Sequence, residues 1–162
     1  MAIVRFVPQR RRVFVVLLGS YRIDGRPFRR YFGQLGSLPR DQPISAAARV
    51  AFWARFDAKW HAIVDRHPLV APDDRGHVMA TIAKRIGWPS SPAEQRAVRA
   101  AKIRLAAVAA LDDLETDIEG TLTNVPMTQD EAEALLDDAD DEAASIVREA
   151  NARLHAMRMK PP

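Results

Sequence analysis

The chain has 162 residues, 48% of them hydrophobic and many of those alanine, so it has room for one thin, helix-rich core. Its 24 Lys and Arg nearly balance 21 Asp and Glu, for a formal charge of +3. The lack of cysteine excludes disulfides and thiolate metal sites. The longest apolar runs, 13–18 and 105–111, fall far short of the ~20 residues a membrane helix needs. Met1–Val7 is interrupted by Arg5 and followed by Pro8 and three Arg, so no signal peptide is expected and the chain reads as cytoplasmic.

The near-neutral balance conceals a sharp segregation. Residues 1–40 hold nine Arg against one acid, Asp24, a net of +8. Residues 111–142 hold thirteen Asp or Glu and no Lys or Arg, a net of −13. A basic end can meet phosphate, and an acidic end can meet a basic partner or repel nucleic acid.

Ile3–Val7 and Val13–Leu18 are β-branched or apolar runs of strand length, and Arg26–Gln34 alternates like a third strand. On that strand Phe28, Arg30 and Phe32 are expected to share one face, and Arg29 and Tyr31 the other. Asp24-Gly25 is the dipeptide favoured in a tight hairpin turn. These signals predict a small three-stranded antiparallel sheet, which Gly36-Ser37-Leu38-Pro39 and Pro43 bring to an end.

Ser45 opens a helix to about Arg66, with Phe52, Phe56, Trp60 and Ile63 on a buried face that Trp53 and Val64 widen. Arg55, Lys59 and Arg66 form another stripe. A short helix from about Asp74 to Ile86 stops at Gly87. The Ala83…Gly87 spacing also occurs around the turn of helix-turn-helix proteins, but a helix capped by Gly87 explains the same residues. Trp53, Trp60 and Trp88 read as core.

Ser91-Pro92-Ala93-Glu94 is a capping box opening a helix to about Glu119. Gly120–Met127 reads as a loop, and Thr128-Gln129-Asp130-Glu131 opens a last helix to about Met159. Ala132, Leu135, Ala139, Ala143, Ile146, Ala150, Leu154 and Met157 lie near period 3.5, the spacing of a coiled-coil seam. Two long helices joined by a short loop should pack antiparallel. The fold class is therefore α+β, with a basic sheet region (1–40), a short helical region (41–90) and a protruding helical hairpin (91–162).

Folded this way, the hairpin has an acidic tip and a basic base. The acidic end of the first helix opposes the helix dipole, at about 0.3–1 kcal/mol per badly placed charge. Asp137/Asp141 and Asp138/Glu142 are like-charge pairs four apart. Stability alone would not select this arrangement. The tip is expected to point away from the sheet, free for a partner.

The residues Ser20–Leu38, SYRIDGRPFRRYFGQLGSL, resemble the N-terminal hairpin of some insertion-sequence transposases of the DDE type. In that family a Ser-Tyr-Arg…Asp-Gly-Lys…Arg-Gln-Arg…Leu-Gly run precedes the DNA-binding and catalytic regions. The resemblance covers about twenty residues and implies a shared nucleic-acid-facing module. The chain is too short for the family's catalytic domain, so transposase activity does not carry over.

Together these features predict a non-enzymatic nucleic-acid-binding accessory or regulatory protein from a mobile element or phage-related locus, with DNA favoured over RNA. Arg10, Arg11, Arg12, Arg22, Arg26, Arg29 and Arg30 would hold phosphates, Tyr31 would stack, and Arg96, Arg99 and Lys102 would assist. Asp137, Asp138, Asp140, Asp141 and Glu142 would form a protein-binding tip. The alternative is an interaction module or inhibitor whose acidic helices mimic nucleic acid. The four His form no metal pattern, there is no Gly-rich phosphate loop, and no cofactor or metal is expected. The helical seam also allows a homodimer, although pairing within the chain already satisfies it.

Overall fold

A computed structural model of the chain describes residues 2–23, 26–40 and 43–159. Three strands, β1 (Ala2–Gln9), β2 (Arg12–Ile23) and β3 (Arg26–Pro39), precede four helices, α1 (Ala46–Arg66), α2 (Asp74–Ile86), α3 (Pro92–Asn124) and α4 (Gln129–Met159). The fold is α+β, with the strands in one antiparallel sheet of order β1-β2-β3. The chain divides into two compact units, Met1–Val98 and Arg99–Pro162. The Asp24-Gly25 turn lies outside the described residues.

In the first unit, Val13, Val15 and Leu17 alternate along β2 toward a core completed by Phe52, Phe56, Trp60 and Ile63 of α1 and by Val78, Ile82 and Ile86 of α2. The α1 face expected from the 3- and 4-residue spacing is the buried one. Full burial of each such side chain contributes about 1.5–3 kcal/mol. Ser45 caps α1, its Oγ accepting from the Ala48 N–H at 3.1 Å. Gly87 closes α2 with φ +79°, its N–H donating to the Ala83 carbonyl at 2.8 Å. Trp53 and Trp60 are buried as expected. Trp88 is 46% exposed, because it follows Gly87 in a connector and only one ring face is covered, by Trp53 at a centroid distance of 4.5 Å.

The strands run longer than their apolar runs suggested, and Gly36-Ser37-Leu38-Pro39 belongs to β3 rather than ending the sheet before it. The glycines there answer a packing need. A Cβ on Gly33 would stand 2.8 Å from the Ile63 side chain, and one on Gly36 would stand 2.7 Å from the Phe52 ring. Both positions let α1 approach the edge strand closely. Pro39 is tolerated because β3 is an edge strand. Two bulges, between Val15 and Val16 and between Leu17 and Leu18 of β2, leave Leu35 and Phe32 as extra residues on β3. Both are buried. Phe32 therefore joins the core, while Phe28, expected to share its face, is 50% exposed.

The capping box at Ser91 is formed. The Glu94 N–H donates to Ser91 Oγ at 3.1 Å, and the Ser90 and Ser91 N–H groups donate to Glu94 Oε2. Arg49 of α1 donates to Glu94 Oε1 from Nε and Nη2, at 3.0 and 2.8 Å. The Arg49 hydrogen bonds, with help from the Ser91 and Ser90 amides, hold the Glu94 carboxyl below the usual glutamate range. This one residue caps α3 and ties it to α1.

The second unit is held differently. All eight seam residues of α4 are at least half-buried, but only Ala139 is fully buried. Ile103, Ala107 and Ala110 of α3 stand across from Ile146 and Ala150, and Leu114 and Ile118, on the same stripe of α3, are also half-buried. A recess of about 160 Å³ remains between Ile103–Ala110 and Ile146–Arg153. The expected loop at Gly120 is instead helix, and α3 continues to Asn124. A Cβ at Gly120 would meet nothing within 4 Å, and Thr121, Thr123 and Asn124 bond back to carbonyls four residues earlier. Thr121 also extends the half-buried stripe, and the helix carries glycine at a cost of ~1 kcal/mol. Thr128 and Glu131 form the second capping box, with Thr128 N–H to Glu131 Oε2 at 2.7 Å.

Candidate nucleic-acid interface

The helices of the first unit cover the sheet face that carries Val13, Val15 and Leu17. Residues of alternate parity form the opposite face, where cross-strand partners stand side by side. The register aligns Ile3 with Leu18 and Tyr31, Arg5 with Val16 and Gln34, and Val7 with Phe14 and Ser37. Arg29 stands opposite Ser20 at the same level of the sheet. The aliphatic residues and Phe14 on this face are half-buried or exposed, and Tyr31 is 57% exposed. The described part of the face has no acid, because Asp24 is the only acid before residue 41.

Arginines stand at both ends of this track. Arg10 and Arg11 form the β1–β2 turn, and Arg12 begins β2. Arg40 joins them, its N–H donating to the Arg11 carbonyl at 3.0 Å and its Nη1 to the Arg10 carbonyl at 3.4 Å. Arg10 has φ +50°, a region where glycine or asparagine is relaxed and other side chains cost about 1–2 kcal/mol. The turn keeps an arginine where stability favours a different residue. At the far end of β2 and β3 are Arg26, Arg29 and Arg30, all exposed. The rise of a strand puts the two ends roughly 35 Å apart.

The residues expected to bind nucleic acid are thus divided by the fold. Arg29 and Tyr31 share the open face, Arg30 and Phe28 have the opposite parity, and Arg10–Arg12 crown the other end. The Arg22 side chain lies outside those described. Arg96 belongs to the first unit and Arg99 and Lys102 to the second, at three-residue intervals on α3. Arg5, Phe14 and Arg40 were not singled out from the sequence. The alternation Ile3-Arg5-Val7 against Val4-Phe6 was a usable signal for Arg5, had β1 been read for faces.

In the second unit, Asp137, Asp138, Asp140, Asp141 and Glu142 are all exposed on α4, and none makes a side-chain hydrogen bond or ion pair among the described residues. Glu131 is different: hydrogen bonds from the Thr128 N–H and hydroxyl hold its carboxyl below the usual glutamate range. No helix among the described residues is long and apolar enough to cross a membrane. Comparison of the chain with protein-family models, curated proteins and solved structures finds no match.

Proposed function

We propose that the protein is a non-enzymatic nucleic-acid-binding factor that works through the open face of its sheet. The observation that carries this reading is a face whose described part has no acid, with Phe14 and Tyr31 among aliphatic side chains and arginines at both ends. Unpaired bases stack on exposed aromatic rings at about 1–3 kcal/mol each, and Arg guanidinium groups bind phosphate with paired donors. Arg5 and Arg29 lie beside the track, while Arg10–Arg12 and Arg26 sit at its ends. This favours unpaired strands over a rigid duplex, with DNA ahead of RNA. Ser20–Leu38, the run that resembles transposase hairpins, spans the end of β2 and all but the last residue of β3, consistent with an accessory role in a mobile element.

The test is fluorescence anisotropy with duplex DNA, single-stranded DNA and RNA across a salt series. The expected result is tightest binding to single strands, with log K falling linearly with log salt. Arg26→Ala/Arg29→Ala/Arg30→Ala should make the salt slope shallower, and Tyr31→Ala should weaken binding at every salt concentration. Absence of binding to all three at low salt would remove the reading.

A second reading rests on Asp137, Asp138, Asp140, Asp141 and Glu142 of α4, whose carboxylates have no partner among the described residues and could occupy a basic groove of a nucleic-acid enzyme as a phosphate mimic. Neutralising Asp137, Asp138, Asp140 and Asp141 to Asn would abolish such an interaction and leave binding by the sheet unchanged or stronger.

A further inference from the structure

A pocket of about 340 Å³ lies between edge strand β3 and helix α1. That is within the range of small-molecule sites, roughly 300–1,000 Å³. Three cations line it, Arg12 from the start of β2 and Arg55 and Lys59 from α1, and among the described residues no Asp or Glu does. No side chain of the three makes a hydrogen bond or ion pair among the described residues. Arg55 and Lys59 are four apart on one helix, a like-charge spacing that costs stability rather than adding it. Asp57, the one acid between them in sequence, points its carboxylate to Arg75 at 2.5 Å. The cations are thus left to face the pocket with no counter-charge from the described residues.

The remaining walls suit a ligand with both a charged and an apolar part. Pro39, Ala48 and Ala51 contribute apolar surface, and Gln34 and Ser37 contribute neutral polar groups. Gly36 lies between them, and any side chain there would run into the Phe52 ring.

We propose that this pocket binds a nucleotide through its phosphate. Arg12 and Arg55 hold the phosphoryl oxygens with paired N–H donors and Lys59 adds a compact charge. The nucleoside lies toward Pro39, Ala48 and Ala51. The same chemistry is offered by a free mononucleotide and by the phosphorylated end of a strand. Arg12, Gln34 and Ser37 are shared with the open face or its end, but Arg55 and Lys59 are not, so the site rests on those two whether or not the open face binds nucleic acid.

The experiment is titration of the full chain with inorganic phosphate, adenosine monophosphate and adenosine, followed by amide NMR shifts and calorimetry. Shifts should concentrate at Gln34–Ser37 and Phe52–Lys59 with the monophosphate, and adenosine alone should bind more weakly. Arg55→Gln/Lys59→Gln changes only exposed side chains, and circular dichroism checks that it folds. It should weaken the monophosphate by about tenfold or more, since hydrogen bonds to charged groups contribute about 1.5–3 kcal/mol each. Arg29→Ala/Tyr31→Ala should leave that affinity unchanged. A 5′-phosphorylated oligonucleotide that outcompetes its 5′-hydroxyl twin in wild type, but not in Arg55→Gln/Lys59→Gln, assigns the pocket to strand ends. Equal affinity for the twins, with monophosphate binding retained, assigns it to free nucleotide. Adenosine binding as tightly as its monophosphate, no binding of any phosphate compound, or undiminished binding by Arg55→Gln/Lys59→Gln would overturn the proposal.

Discussion

The first unit buries large rings, and the second buries almost nothing completely. Trp60 and Phe56 are 2% and 1% exposed, whereas the hairpin's most buried residue is Ala139 at 8%. Both are made largely of regular secondary structure, so the difference lies in what holds that structure. In the first unit it is apolar area taken from water across three layers of contact: sheet, α1 and α2. In the hairpin it is backbone hydrogen bonding, the Thr128 cap and a narrow seam of mostly small side chains. Charge reinforces the contrast, since the hairpin carries the acidic run that no cation within 111–142 offsets. A binding surface that must keep its geometry is well placed on the first kind of unit. An acidic helical surface tolerates the second.

This comparison is most sharply tested by truncating the ring core. Trp60→Ala should destabilise the first unit by about 3–5 kcal/mol in denaturant unfolding, through lost burial plus the cavity left behind. A cost below about 1 kcal/mol would show that this core is not what holds the unit. Gly36→Val should cost about 1–3 kcal/mol by forcing the Phe52 ring aside. Combining it with Phe52→Leu should recover part of that loss, and strict additivity would argue against the close approach of α1 to β3.

In the hairpin, Ile146→Ala removes a half-buried side chain and should cost about 1 kcal/mol, well under the ring-core case. Loss of a cap should be similar in size in both units, about 1 kcal/mol for Ser45→Ala and for Thr128→Ala. The readout should differ. Hydrogen exchange is expected to show fraying of the first turn of α4 after Thr128→Ala, and little local change in α1 after Ser45→Ala.

The smallest effect concerns pH. The folded-state lowering of Glu131 means its capping contribution is present above the ordinary glutamate value of 4.5 and is lost as pH falls through the lowered folded value. Protonation of the neighbouring acids acts the other way, by relieving their mutual repulsion. The difference in stability between wild type and Glu131→Gln, measured from pH 7 downward, isolates the cap. It should shrink toward zero in acid, and a constant difference would disprove the linkage. Glu94 should behave the same way in the first unit, with Arg49 as the main cause.

Much of the helical structure was legible in the sequence because its signals are local. The capping boxes at Ser91 and Thr128, the ring face of α1 and the eight-residue seam of α4 all use residues within a few turns of one another. The errors came where distant residues decide. Gly36 and Pro39 read as punctuation, since nothing nearby in sequence says that Phe52 and Ile63 need glycine opposite them. Gly120 read as a break, since the extension of the α3 stripe to Thr121 is visible only against α4. Phe28 and Phe32 were given one face because a period of two cannot anticipate a bulge.

The candidate sites follow the same division. The sequence by itself determined the segregation of charge, the α+β order of elements and the concentration of arginine at the sheet. These depend on composition and on periods of two and 3.6 residues. Only the tertiary structure decided which arginines share a surface: it put Arg5, Phe14 and Tyr31 on one face across three strands, and Arg12, Arg55 and Lys59 around one pocket. Strand register and helix packing bring together residues some ten to fifty positions apart, and no local pattern in the chain encodes that proximity.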